Sequence, residues 1–219
     1  MTHRNPIEAG GVNNMSPPPL ADLPPAKETL NTNILINLRS MQVVEEQDAS
    51  KTTVDSGYAR ISDRDLRSMH ASSCMYVALI DPKKRLVGLA HLEPDEMITP
   101  MLNEWTQMTD AKDTLAYLVK GNGLSEEGSY SRFMTATKRA LSQMGFTQVF
   151  EDFEVPVEGE DSPRGKNSSD ITAHPNGTVE VERFRTSLMK DGGIRYTCDR
   201  GKRFITNPHL TMQDIEFED

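Results

Sequence analysis

The 219-residue chain has few cysteines, an excess of acid over base and no long hydrophobic run, and each of these features excludes a class of protein. Two cysteines, Cys74 and Cys198, cannot make a disulfide-dense scaffold, and with five scattered histidines they give no metal-ligand spacing. The 24 Lys and Arg residues against 33 Asp and Glu leave a net charge of −9, which disfavours nucleic acid as a partner. No apolar stretch reaches the ~20 residues that span a bilayer, and the N-terminus lacks the apolar core of a secretory signal. We therefore expect a soluble protein with reduced thiols, no metal and no membrane insertion.

Composition divides the chain into four parts. Residues 1–32 are rich in Pro, Asn, Gly and Thr without a periodic apolar pattern, which predicts a disordered segment. Residues 33–55 form an extension whose apolar stretch either packs on the domain edge or binds a partner. Residues 56–212 are predicted to form one domain, large enough to bury about two thirds of its unfolded surface, and residues 213–219 form an acidic tail.

Periodicity and turn signals predict an α/β (α+β) fold with antiparallel β-sheet layers flanked by helices. The apolar runs 75–80 and 86–90 are separated by Asp81-Pro82-Lys83-Lys84, which indicates an antiparallel hairpin. Apolar residues recur at helical spacing over 129–145, and Gly145 ends that pattern. Further strands are predicted at 58–61, 66–69, 147–155 and 178–185, with a last hairpin turning at 191–193.

The hairpin carries the most informative pair of residues in the chain. We expect it to bring Cys74 and His91 to opposite positions at its open end, where an imidazole would favour the thiolate form of the cysteine. His70, four residues before Cys74, is a competing base. Without a base nearby, a lone cysteine on an apolar strand is usually a small buried hydrophobe. Cys198 has no such neighbour and is expected to be structural.

The same segment resembles the bacterial chemoreceptor glutamine deamidases, the CheD family, or a CheD-like cysteine deamidase effector. The matching features are a hydroxyl residue six before the cysteine, a serine before it, Asp-Pro after the first strand, a glycine in the second strand and a histidine 17 after the cysteine: Ser68, Ser73-Cys74, Asp81-Pro82, Gly88 and His91. A weaker likeness extends over roughly residues 55–185. It implies a CheD-like, cytotoxic-necrotizing-factor-like deamidase fold.

Three positions depart from the family pattern. Ser72 replaces the usual glycine before the serine-cysteine pair, Ser68 replaces threonine, and Gly121-Asn122-Gly123 replaces a Gly-Gly-Ala segment. Ser68 keeps the hydroxyl group but loses the stiff β-branch. These changes bear on substrate choice more than on the existence of a thiol site.

The resemblance implies a protein-glutamine deamidase that converts glutamine to glutamate, releases ammonia and requires no cofactor. In that reaction Cys74 is the nucleophile, His91 is the base and acid, and Ser68 orients His91. Backbone N–H groups near Ser73 would hold the oxyanion.

Two versions of this activity remain open, and so does a different class of function. One version is a cytoplasmic chemotaxis enzyme that acts on chemoreceptors and has a regulatory protein partner. The other is an effector secreted into a host cell without a cleavable signal peptide, which would deamidate a host protein. The alternative to both is a non-catalytic CheD-like protein-binding module.

Overall fold

A computed structural model describes residues 32–45, 48, 50–71, 73–121, 129–152, 167–188 and 194–205. The expectations for the N-terminal segment before residue 32 and for the acidic tail 213–219 lie outside these residues. The departures from the family pattern at Ser72 and Asn122 also lie outside them.

The described residues form a mixed α+β fold that consists mostly of strands, as the sequence predicts. The elements are β1 Asn33–Asn37, β2 Gln42–Val44, β3 Tyr58–Ser62, β4 Leu66–Ala71, β5 Met75–Asp81, β6 Leu86–Leu92, α1 Thr99–Met108, β7 Leu115–Lys120, α2 Ser129–Gln143, β8 Gln148–Asp152, β9 Asn167–Ala173, β10 Val179–Leu188 and β11 Ile194–Ile205. A seven-stranded sheet has the order β2-β1-β3-β6-β5-β7-β8, and a four-stranded sheet has the order β11-β10-β9-β4. All pairings between these strands are antiparallel except the parallel pair β7 and β8.

The predicted hairpin is confirmed as β5 and β6, which lie near the middle of the large sheet. Successive side chains on a strand point to opposite faces. Every residue of both strands is buried, because the large sheet is covered on two sides. One face contributes Val77 and Leu79 to a core shared with Trp105 of α1 and Leu141 of α2. The other face packs against the small sheet.

Gly88 of β6 has a packing role that explains a glycine in this strand. A Cβ atom at this position would lie 3.1 Å from Cε3 of Trp105 and 3.2 Å from its Cζ3. Real Cβ atoms rarely approach a neighbour so closely, so a side chain here would push α1 away from the sheet. The absence of a side chain lets the indole pack directly on β6, where Trp105 is fully buried.

The segment 33–55 contributes the outer strands of the large sheet. β1 pairs with β3 along its whole length, and Ile36 of β1 is fully buried. β2 lies at the edge of the sheet, and its three residues are exposed. This end of the sheet therefore combines a partly buried strand, β1, with an exposed edge strand, β2.

Candidate functional site

A cavity of about 250 Å³ lies where the two sheets meet, and all three predicted catalytic residues line it. Ser68 lies in β4 of the small sheet and His91 in β6 of the large sheet, and Cys74 is the residue immediately before β5. Seven further residues line the cavity: Thr53, Val54, Asp55, Ser56, Arg67, Met69 and His70. The fold thus brings together residues that are separated by up to 38 positions in the sequence. Ser73 is exposed and is not among the residues that line the cavity.

The hairpin register corrects one expectation about this site. His91 pairs with Tyr76 rather than with Cys74, which lies two residues before Tyr76. The cause is the position of the turn: it has four residues as predicted, but it occupies 82–85 instead of 81–84, and a turn that begins one residue later changes each pairing by two positions. Residues two apart share a face of the sheet, so Cys74 and His91 are diagonal neighbours on one face. Side chains in such positions still interact across strands.

Ser68 determines which nitrogen of His91 carries the proton. The Ser68 hydroxyl donates to the backbone carbonyl of Val54 at 2.5 Å, and its oxygen lies 2.9 Å from Nδ1 of His91. A hydroxyl has only one hydrogen to donate, so Oγ accepts from His91 and the proton is on Nδ1. In the neutral ring Nε2 then carries a free lone pair. This Nε2 atom is buried and has no hydrogen-bond partner among the described residues.

Burial keeps both His91 and Cys74 neutral in the resting protein. It lowers the pKa of His91 to about 4, with partial opposition from the carboxylates of Glu93 and Asp55. Burial also raises the pKa of the Cys74 thiol. Hydrogen bonds from Ser56 and Ser73 oppose that rise. In the folded protein the two side chains are therefore a neutral thiol and a neutral imidazole that line the same cavity.

Tyr76 holds the His91 ring and the adjoining strand in place. Its ring lies edge-on to the His91 ring, with centroids 4.8 Å apart and an interplanar angle of 67°. Its hydroxyl accepts from the backbone N–H of Ala71 at 2.9 Å and donates to the carbonyl of Ser169 at 2.7 Å. Tyr76 thus ties the hairpin to both β4 and β9. Sequence reasoning missed this residue, because the expected register placed Cys74 and not Tyr76 opposite His91.

A second polar chain reaches Cys74 from the other side. Ser56 Oγ lies 3.9 Å from Cys74 Sγ and donates to Oε1 of Glu93 at 2.8 Å. Glu93 is also ion-paired with Arg39, whose Nε lies 2.8 Å from Oε1 of Glu96. The chain Cys74, Ser56, Glu93, Arg39, Glu96 runs from the cavity to the protein surface. No sequence motif indicated it.

His70, the competing base, also lines the cavity, but its environment differs from that of His91. It sits where the β4 register shifts, with a φ of 64°, a value that non-glycine residues rarely adopt. Its backbone N–H donates to Oδ1 of Asp170 at 2.8 Å, and its Nδ1 lies 3.8 Å from the same oxygen. The His70 side chain is 54% exposed. His91 is therefore the buried base with an oriented tautomer, and His70 lies at the rim.

The part of the chain that the structure describes contains no group of three or more His, Cys, Asp or Glu residues that could hold a metal ion. It also contains no helix whose length and apolar character would allow it to cross a membrane.

Comparison with known proteins identifies a distant structural neighbour. No protein-family profile matches the chain, and no curated protein is significantly similar to it. One similar solved structure is the crystal structure of the hypothetical protein YfiH from Bacillus licheniformis, with a TM-score of 0.34 and 16% identity. The match covers 43% of this chain and 50% of that chain, so it spans half of the neighbour's length.

Proposed function

We propose that the protein is a cysteine-dependent amide hydrolase that deamidates a glutamine side chain on another protein. The observation that carries the proposal is the free lone pair on Nε2 of His91, in the cavity that also contains the Cys74 thiol. The resemblance of the segment 68–91 to the CheD family supports the choice of glutamine. The small cavity suits a side-chain carboxamide better than a large cofactor.

The first half of the reaction forms a thioester and releases ammonia. Nε2 of His91 takes the proton of Cys74 as the sulfur attacks the carbonyl carbon of the glutamine side chain. The transfer accompanies the attack, because burial makes the thiol a weaker acid and the imidazole a weaker base. The His91 imidazolium then gives its proton to the amide nitrogen, the C–N bond breaks and ammonia leaves. An imidazolium with a low pKa is a strong acid, which favours this step.

The second half returns the enzyme to its resting state. Nε2 of His91 takes a proton from a water molecule, whose oxygen attacks the thioester carbonyl carbon. The C–S bond breaks, glutamate is released, and the His91 imidazolium gives the proton that it took from water to the departing sulfur, which restores the thiol and the neutral imidazole. Throughout, Ser68 accepts the Nδ1–H bond and holds the ring with Nε2 toward the cavity. Backbone N–H groups near Ser73 and Cys74 are the oxyanion donors in this scheme.

A non-catalytic binding module is the second candidate, and one observation favours it. Burial and the nearby carboxylates of Glu93 and Glu96 raise the pKa of Cys74, whereas many nucleophilic cysteines have a lowered pKa. A module of this kind would use the cavity to hold a partner side chain without changing it.

Mass spectrometry of candidate target proteins separates these functions. The protein would be incubated with chemoreceptor cytoplasmic domains and, separately, with a host-cell lysate, and glutamine-to-glutamate changes and ammonia would be measured. Cys74→Ser and His91→Gln should each abolish the change, and their losses should not add, since the two residues act as a unit. Ser68→Ala should reduce it less. Asp113→Asn, an exposed substitution beside Lys83, is the matched control and should leave it intact.

The two target sets also separate the chemotaxis and effector versions of the proposal. Modified peptides in the chemoreceptor domains favour a chemotaxis enzyme, and modified peptides in the lysate favour an effector. If wild type and Cys74→Ser give identical peptide maps in both sets while a stable complex is captured, the hydrolase proposal is wrong and the binding module replaces it.

A further inference from the structure

A groove of about 530 Å³ adjoins the thiol cavity, and methionines line its rim. Its lining consists of Leu38, Arg39 and Met41 from the turn after β1 and of residues 93–97 after β6.

Met41 is 57% exposed and Met97 is 58% exposed. Within the described residues, large exposed hydrophobic side chains are few: Met41, Val43, Val44, Met69 and Met97. Met41 and Met97 line the groove, and Met69 lines the thiol cavity. Exposed apolar side chains that gather around one site indicate an interaction surface.

Glu93 joins the groove to the thiol cavity. It lines the groove, and its carboxylate accepts the hydrogen bond from Ser56, whose oxygen lies 3.9 Å from Cys74 Sγ. A protein segment that places a glutamine side chain at Cys74 would therefore extend its neighbouring residues toward the groove. His91, which is only 4% exposed and whose Nε2 has no hydrogen-bond partner among the described residues, lines the thiol cavity.

The groove carries an excess of negative charge. Three carboxylates, those of Glu93, Asp95 and Glu96, line it with one guanidinium, that of Arg39. Arg39 pairs with Glu93 and Glu96. Asp95 is exposed, and in the part of the chain that the structure describes it has no hydrogen bond or ion pair. The Asp95 carboxylate is therefore available to a cation from outside.

We propose that this methionine-lined groove binds the substrate protein next to its target glutamine and selects a segment that carries a lysine or arginine beside an apolar residue. The apolar side chain contacts Met41 and Met97, and the cation pairs with Asp95. This inference rests on the proposed deamidase function and names the class of segment that the site accepts. It also predicts that free glutamine is a poor substrate, because free glutamine cannot reach the groove.

Synthetic peptides test the groove separately from the chemistry. Each peptide has a central glutamine and an apolar neighbour, and a lysine is scanned along both flanks, with norleucine and glutamate replacing it in matched peptides. Binding is measured by fluorescence anisotropy on the Cys74→Ser variant, which cannot complete the reaction. Ammonia release is measured on the wild type. The best lysine peptide should bind at least about threefold more tightly than its norleucine match, as for an exposed ion pair, and salt should reduce the preference.

Substitutions in the groove should remove the two parts of this recognition separately. Asp95→Asn, made in the Cys74→Ser background, should abolish the preference for lysine over norleucine, whereas Asp113→Asn, the same change at a distant exposed site, should retain it. Met97→Gln, at an exposed position, should weaken all peptides alike. Equal binding of lysine, norleucine and glutamate peptides, or a lysine preference that survives Asp95→Asn, would overturn the proposal.

The two readouts distinguish failure of the groove from failure of the deamidase. If lysine peptides bind preferentially through Asp95 but wild type releases no ammonia, the groove proposal stands and the hydrolase proposal fails. If ammonia is released at equal rates from all peptides, the hydrolase stands and the groove proposal fails.

Discussion

The pH dependence of folding stability tests the protonation state of His91 directly. Burial lowers its pKa to about 4 in the folded protein, whereas the ordinary value is 6.5. Between these values the unfolded chain binds a proton that the folded protein does not, so the free energy of unfolding rises with pH. The contribution of His91 is thus fully present above pH ~6.5 and is lost as the pH falls toward ~4.

The size of this effect follows from the two pKa values. Each pKa unit corresponds to about 1.4 kcal/mol, so a fall from pH 6.5 to pH 5 should cost about 2 kcal/mol, and a fall to pH 4 about 3 kcal/mol. His91 is only 4% exposed, so solvent screening reduces this little. A typical domain has a total stability of about 5–15 kcal/mol. Protonation of this one buried histidine therefore removes a large share of the free energy of unfolding when the pH falls to about 4.

Urea unfolding of wild type and His91→Gln at pH 7 and pH 5 measures this contribution. Glutamine has an amide that can still hydrogen-bond to Ser68, but it does not titrate. The carboxylates are common to both proteins, so their effect largely cancels in the difference. Between pH 7 and pH 5 wild type should lose about 2 kcal/mol more than the variant. If both lose the same amount, or if the variant loses more, His91 is not the buried neutral base that the mechanism requires.

Two further substitutions test how the site is supported. Tyr76→Phe keeps the ring contact with His91 but leaves the backbone N–H of Ala71 and the carbonyl of Ser169 without their partner, so urea unfolding should show a loss of about 1–3 kcal/mol. A loss below a few tenths would mean that water replaces the hydroxyl. Gly57→Ala should cost about 1–2 kcal/mol, because Gly57 has a φ of +82°. Unchanged stability would contradict that backbone assignment.

Local signals explain which elements the sequence predicted correctly. The Asp-Pro turn between two apolar runs was sufficient for β5 and β6, and helical spacing was sufficient for α2. The sequence analysis assigned no structure to α1 or β7. Only Pro100, Met101, Leu102 and Trp105 of α1 are buried, so its pattern is short, and its burial depends on Gly88 of a strand that precedes it in the chain.

The pairing of Cys74 with His91 was predicted with the wrong register and yet on the correct face. The shift between the predicted and observed pairing is two residues, which is one full period of a strand, so both side chains stay on the same side of the sheet. A shift of one residue would have placed them on opposite faces and removed the site. The alternation of side chains thus kept both residues on one face, although the turn begins one residue later than predicted.

The chemical state of the site was beyond sequence reasoning, because contacts between distant segments decide it. Ser68 orients His91 only because its own hydrogen bonds to the backbone carbonyl of Val54, which lies 14 positions away and has no side-chain signature. Burial by the second sheet then keeps the imidazole neutral, although the sequence alone suggested an imidazole that would charge the thiol. The residue types in the segment 68–91 indicate which groups meet, whereas the fold decides that Nε2 of His91 has no hydrogen-bond partner among the described residues and that burial raises the pKa of the Cys74 thiol.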